Sequence, residues 1–203
     1  MKPSARFLLV VVGLAMAVQT AASAHFRLLE PTSWLIEGDR GDPQKAGPCG
    51  GTNADWGKPS DVIGKAIGGQ KLHIKVQETV YHPGHYRIAL AVSSRTQLPL
   101  DPVATTRDTE KGQFSVSAVI QDPPQIPVLA DGLWVHSARV TDPWETDVQL
   151  PNLSCRKCTL QVVQFMAEHA FNNPGGYTYH HCAELQITKD PAKPLDSGWP
   201  AER

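Results

Sequence analysis

The sequence predicts an all-β protein, an antiparallel β-sandwich, on three observations. Seventeen prolines and sixteen glycines are spread along the chain and break it into short segments, which disfavours long helices. Strand-like runs recur between these breaks, and several alternate in the β manner, as Leu72, Ile74 and Val76 do against His73, Lys75 and Gln77. No internal repeat or low-complexity tract points to another architecture, and short strands with Gly/Pro punctuation pack as sandwiches.

In chain order, residues 1–24 come first. Lys2 and Arg6 precede an apolar run from Phe7 to Val18, and the small residues Ala22-Ser23-Ala24 follow. That layout is expected of a secretory signal peptide cut before His25, and the run is short for a membrane span. Nothing later is apolar enough to cross a bilayer, so no membrane association is expected after cleavage. The mature chain, 25–203, then suits one domain, comprising a β-sandwich over 25–190 and a flexible tail over 191–203.

Phe26 to Leu29 is a short strand candidate. From there to about Ile67 the chain is irregular and rich in Gly and Pro, the character of a functional surface loop. Strands are expected at Lys71–Val80, Tyr86–Val92, Phe114–Ile120, Leu133–Val140, Asp147–Leu150, Thr159–Met166 and Cys182–Thr188. The whole reads as an immunoglobulin/fibronectin-III-like β-sandwich with long N-terminal loops.

Loss of Lys2 and Arg6 with the leader takes the formal net charge from −1 to −3. With no Lys/Arg cluster in view, a nucleic-acid partner is not expected. Four cysteines remain, Cys49, Cys155, Cys158 and Cys182. In an exported chain an even count indicates disulfides, of which three connectivities are possible; a metal site on Cys155-x-x-Cys158 is the competing reading.

The chemistry is carried by two histidines. Cleavage before His25 would give that residue a free α-amino group beside its imidazole. His82 stands in Thr79-Val80-Tyr81-His82-Pro83-Gly84-His85-Tyr86, where Pro83-Gly84 supplies a turn between two strands. His82 is thereby placed at a hairpin tip, on a rim that a strand starting at His25 can share. Three neutral nitrogen donors with open positions suit copper, whereas calcium or magnesium would call for oxygen ligands. The α-amine helps, because its reference pKa of about 7.7–8.0 lets a metal displace its proton readily. His85 is the alternative ligand on the same hairpin. His180 and His181 read as polar strand residues near a solvated edge, at most one of them facing the core, and His73 and His136 as structural or exposed residues.

Four stretches together resemble the lytic polysaccharide monooxygenases and their copper-binding relatives. These are His25-Phe26-Arg27-Leu28-Leu29-Glu30-Pro31, the turn around His82, Cys158-Thr159-Leu160-Gln161, and Tyr179-His180-His181-Cys182-Ala183-Glu184-Leu185. The resemblance implies a copper-binding histidine brace of His25 and His82, with Tyr179 as the aromatic residue beside the metal. It implies a polar residue nearby, for which Gln161, Gln164 and His169 are candidates. Strand alternation puts the two glutamines on opposite faces, and Gln164 is preferred because it stands where an apolar residue is expected. The family layout implies disulfides Cys49–Cys182 and Cys155–Cys158.

The activity implied is that of a secreted or periplasmic copper-dependent monooxygenase acting on a polysaccharide, with an external electron donor and as a monomer. Trp34, Trp56, Trp134 and Trp144 are candidates for a sugar-stacking platform or for the core. A non-catalytic copper-binding protein with the same brace is the alternative. It accommodates the stretch 167–176, which lacks the Asn-Ser-Trp-Gly run of some relatives, and Glu184 stands where they carry Asp.

Overall fold

The computed structural model describes residues 25–200, so the expected leader and its cleavage point lie outside the described residues. Ten strands are present: β1 His25–Glu30, β2 Ile63–Ile67, β3 Lys71–Val80, β4 Gly84–Ala91, β5 Ala104–Thr109, β6 Gly112–Ala118, β7 Val128–His136, β8 Trp144–Gln149, β9 Cys155–Met166 and β10 Thr178–Thr188. Among the described residues the chain is all-β, with one short 3-10 turn at Arg95–Gln97. No helix among the described residues is long and apolar enough to cross a membrane.

A three-stranded sheet in the order β1-β3-β8 faces a five-stranded sheet in the order β2-β10-β9-β4-β7, and β5-β6 forms a separate hairpin. Strand alternation builds the core. Phe26 and Leu28 of β1, Ile74 and Val76 of β3, and Val148 of β8 point inwards from the smaller sheet. They meet Tyr86, Ile88 and Leu90 of β4, Leu160 and Val162 of β9, and Tyr179, Ala183 and Leu185 of β10. Burying such side chains stabilises the fold by roughly 1.5–3 kcal/mol each relative to exposure.

Every ladder is antiparallel except β2–β10, which is parallel. This edge strand lay unrecognised in the N-terminal stretch, because Ile63-Gly64-Lys65-Ala66-Ile67 is short and its buried and exposed positions are weakly contrasted. Strand β5 was also missed. Ala104-Thr105-Thr106-Arg107-Asp108-Thr109 has no apolar face, and its hairpin partner β6 supplies the pairing.

The outer face of the five-stranded sheet is covered, which corrects the expectation for His180 and His181. Both are fully buried. His181 points between the sheets, while His180 points outwards under the N-terminal loop, its N–H donating to the Gln44 carbonyl and its Nε2 lying 2.8 Å from Asp101 Oδ1. Loop coverage gives β10 an interior on both sides.

Two disulfides are formed. Cys49–Cys182 ties the N-terminal loop to β10, and Cys155–Cys158 closes the start of β9. Residues 191–200, expected as a flexible tail, make hydrogen bonds in the structure. The Asn152 side-chain amide donates to the carbonyls of Asp190, Lys193 and Pro194, and its backbone N–H donates to Asp196 Oδ2.

Candidate metal centre

Strand β1 is an edge strand, and its first residue is His25. One edge pairs with β3, with His25 opposite Val80 and Phe26 opposite Glu78. The other edge has no strand beside it, yet its polar groups are buried and require partners. Side chains supply them. Phe26 N–H donates to Gln44 Oε1 at 3.1 Å, the Phe26 carbonyl accepts from His181 Nε2 at 3.0 Å, and Leu28 N–H is shared between the two Glu37 oxygens at 3.3 and 3.2 Å. Gly41 fits beside this edge at φ 94°, where a Cβ would overlap the Phe26 carbonyl.

Burial pushes the Glu37 carboxyl up to about 7, against the opposing pull of Leu28 N–H, Ser33 and Arg27. Burial likewise presses His181 down to about 4. His181 Nδ1 lies 3.1 Å from Glu37 Oε1, at ion-pair distance but without hydrogen-bond alignment.

Around His25 the rings gather. Its imidazole meets Tyr179 edge-on with centroids 5.3 Å apart, Tyr179 meets His169 at 6.5 Å, and His169 meets His82 at 4.7 Å. His25 is 4 % exposed, His82 7 %, His169 6 % and Tyr179 0 %. Four sequence candidates from separate parts of the chain, His25, Tyr179, His169 and His82, therefore lie in one row. His25 Nε2 lies 3.1 Å from Asp42 Oδ2, and that hydrogen bond holds the Asp42 carboxyl below its usual range.

His82 follows β3 on the turn to β4. Gly84 closes that turn because a Cβ there would overlap the Phe165 carbonyl of β9. Burial lowers the His82 pKa to about 4, and the neighbouring charge of His169 adds to the shift. Its buried Nδ1 meets no well-aligned hydrogen-bond partner among the described residues. His169 donates from Nδ1 to the Ala170 carbonyl. Ser115 of β6 fixes the loop that carries it: its hydroxyl donates to the Met166 carbonyl at 2.6 Å and accepts from His169 N–H at 3.2 Å.

Gln164 takes the inward face of β9, directly opposite Tyr179 on one side and Tyr86 on the other. Its Nε2 donates to Glu78 Oε1 at 3.0 Å, so it serves a buried carboxylate. Gln161 points to the outer face and donates to the Pro48 carbonyl. His85 also lies on the outer face, 4.0 Å from Asp131, and does not join the row of rings. Of the four tryptophans considered for a stacking platform, Trp134 and Trp144 pack on the core and Trp34 packs near the Cys49–Cys182 bridge, while Trp56 is 67 % exposed.

Asp42 and Glu78 were not picked out from the sequence, and His136 was read there only as a structural or exposed residue. Glu78 carried a signal: it continues the inward parity of Leu72, Ile74 and Val76, where a carboxylate is out of place unless it has partners. His136 supplies one, its Nε2 lying 3.2 Å from Glu78 Oε1. Among the described residues, no three His, Cys, Asp or Glu side chains already converge on one point in the manner of a closed metal site.

No family model matches this chain, and no curated protein matches it. Among solved structures, one similar chain is the lytic polysaccharide monooxygenase AA15 from Thermobia domestica in its Cu(I) state. It is 13 % identical with a TM-score of 0.37, over 64 % of this chain and 65 % of that one. The chain thus matches less than two thirds of that enzyme's length, and a likeness at that level assigns no residue a role.

Proposed function

We propose that the chain, cut before His25, is an extracytoplasmic copper protein that acts as a monooxygenase on a polysaccharide through a brace of His25 and His82. The observation that carries this reading is the row of rings from His25 through Tyr179 and His169 to His82. The donor chemistry fits copper. Donation from His25 Nε2 to Asp42 selects the tautomer with its lone pair on Nδ1, the carboxylate–histidine arrangement common behind metal ligands. His82 has a depressed pKa, which keeps it neutral and able to donate at neutral pH. In the 203-residue chain the nitrogen of His25 is an amide to Ala24, so the third donor arises only on cleavage.

Bound copper would supply one-electron redox chemistry towards an oxygen co-substrate, with electrons from an external donor. The protein's own part is positional. Tyr179 lies beside His25, with a phenol fully shielded from solvent, and controls the space on that side. His169 sets a second imidazole beside His82, placed to exchange a proton or a hydrogen bond with a polar group there. Gln164 acts from beneath through Glu78.

The test is to export the full chain, confirm His25 as residue one by mass spectrometry, and record copper EPR together with oxidised products on chitin, cellulose and other glycans. His25→Ala, or one extra residue before His25, should remove the nitrogen hyperfine pattern. Wild-type copper binding in His25→Ala would overturn the brace. Tight copper binding with no oxidised glycan across the panel would replace the monooxygenase reading with that of a copper-handling protein.

A further inference from the structure

We propose that Glu78 is a positioning residue that sets where His82 sits: its buried carboxylate joins the turn that carries His82 to β7 and β9 through one oxygen. This rests on the copper reading of His82. Glu78 Oε1 accepts from His82 backbone N–H at 3.3 Å, from Gln164 Nε2 at 3.0 Å and from His136 Nε2 at 3.2 Å. The carboxylate side chain is 1 % exposed and the His136 side chain 4 %. Burying a carboxylate is costly unless its partners compensate, and three donors on one oxygen provide that compensation.

The donors come from different parts of the fold. Gln164 belongs to β9, beside Tyr179, and His136 ends β7. His136 is itself clamped. Its Nδ1 donates to the Trp134 carbonyl at 2.8 Å, and Trp134 holds φ 50°, a backbone region that bulky residues rarely occupy. His136 thus meets an acceptor at each of its ring nitrogens. The ring is packed between Tyr86 and Trp144, with centroids at 6.4 and 5.3 Å.

Glu78 therefore links three strands of the two sheets at one oxygen, and the turn holding His82 is tied to that junction by its backbone. On β3 Glu78 also stands opposite Phe26, the residue after His25. A shift of the carboxylate moves the His82 turn relative to β1, and with it the separation of the two brace histidines.

The test uses the exported, naturally processed protein carrying Glu78→Ala, Glu78→Asp or Glu78→Gln. It reads copper affinity, the copper(II) EPR spectrum, and the histidine ring signals of the metal-free protein by NMR. Glu78→Ala should weaken copper about 10–100-fold, the usual range for loss of a partner behind a metal ligand, and should shift the EPR parameters. Glu78→Asp keeps the charge but shortens the reach, and should shift the spectrum in the same sense. Glu78→Gln keeps an oxygen where the donors meet, and should restore the spectrum most of the way to wild type.

Folded Glu78→Ala and Glu78→Asp proteins with wild-type affinity and spectrum would overturn the proposal; should Glu78→Ala fail to fold, Glu78→Asp decides alone. His82→Ala separates the two failures. If it leaves copper binding intact, the brace reading falls. If it abolishes binding while the Glu78 variants remain wild type, only the role of Glu78 falls.

Discussion

The two edges of β1 are held by different means. On the β3 side a backbone ladder pairs His25 to Glu30 with Lys75 to Val80, and its bonds depend little on side-chain identity. On the other side Gln44, His181 and Glu37 stand in for the missing strand, each through a side chain. A ladder tolerates substitution, whereas a side-chain clamp fails at one residue. The strand that begins with His25 thus has one robust edge and one specific edge, and the specific edge is built by the N-terminal loop and β10.

The largest effect should come from releasing that loop. Replacing Cys49 and Cys182 with Ala removes a crosslink spanning 133 residues, worth about 5 kcal/mol in the chain-entropy model. Denaturant melts should show that loss, and amide exchange should rise first at Phe26 and Leu28 rather than at Arg27. Equal exposure along both edges would remove the contrast.

His181→Ala should rank next. It leaves the Phe26 carbonyl without a donor and opens space in a packed interior, costing about 3 kcal/mol by chemical denaturation.

Glu37 and His181 should show a pH effect only when separated. Unfolded, they titrate near 4.5 and 6.5; folded, Glu37 rises to about 7 and His181 falls to about 4. The depressed His181 contributes stability that is present above 6.5 and lost as pH falls towards 4, whereas the raised Glu37 contributes stability that is present below 4.5 and lost as pH rises through 7. Between about 4.5 and 6.5 the two slopes oppose each other, because folding moves a proton from histidine to glutamate with no net uptake. Glu37→Gln leaves the histidine slope alone. Its stability relative to wild type should climb by about 1 kcal/mol per pH unit across that window, measured as the difference between urea midpoints. Parallel profiles would refute the coupling.

The smallest effect belongs to the ladder edge. Gln77→Ala sits beside Arg27 but leaves the backbone bonds in place, and should cost about 0.5 kcal/mol in the same melts.

Much of the fold was legible because alternation is local. Leu72, Ile74 and Val76 gave β3 its face, and Pro83-Gly84 gave the turn to β4. Strands β2 and β5 were hidden for the opposite reason: neither has a strong apolar face, and each exists through its partner. In the site, His25 and His82 stood out by their positions in the chain, and Tyr179 and His169 do lie between them. Gln164 and Glu78 were both polar residues at apolar parity. Only one was noticed, although each explains the other.

The sequence by itself determined the all-β sandwich, the short strands and the hairpin that carries His82, since these follow from side-chain period and turn chemistry within a few residues. Tertiary structure alone decided that His169 lies against His82, that His181 completes an edge of β1 from 155 residues away, and that Glu78 meets Gln164 and His136. Those meetings depend on strand register and on how two sheets are laid face to face. A polar group removed from water must be satisfied by whatever the packing brings within reach, and no local pattern states which residue that will be.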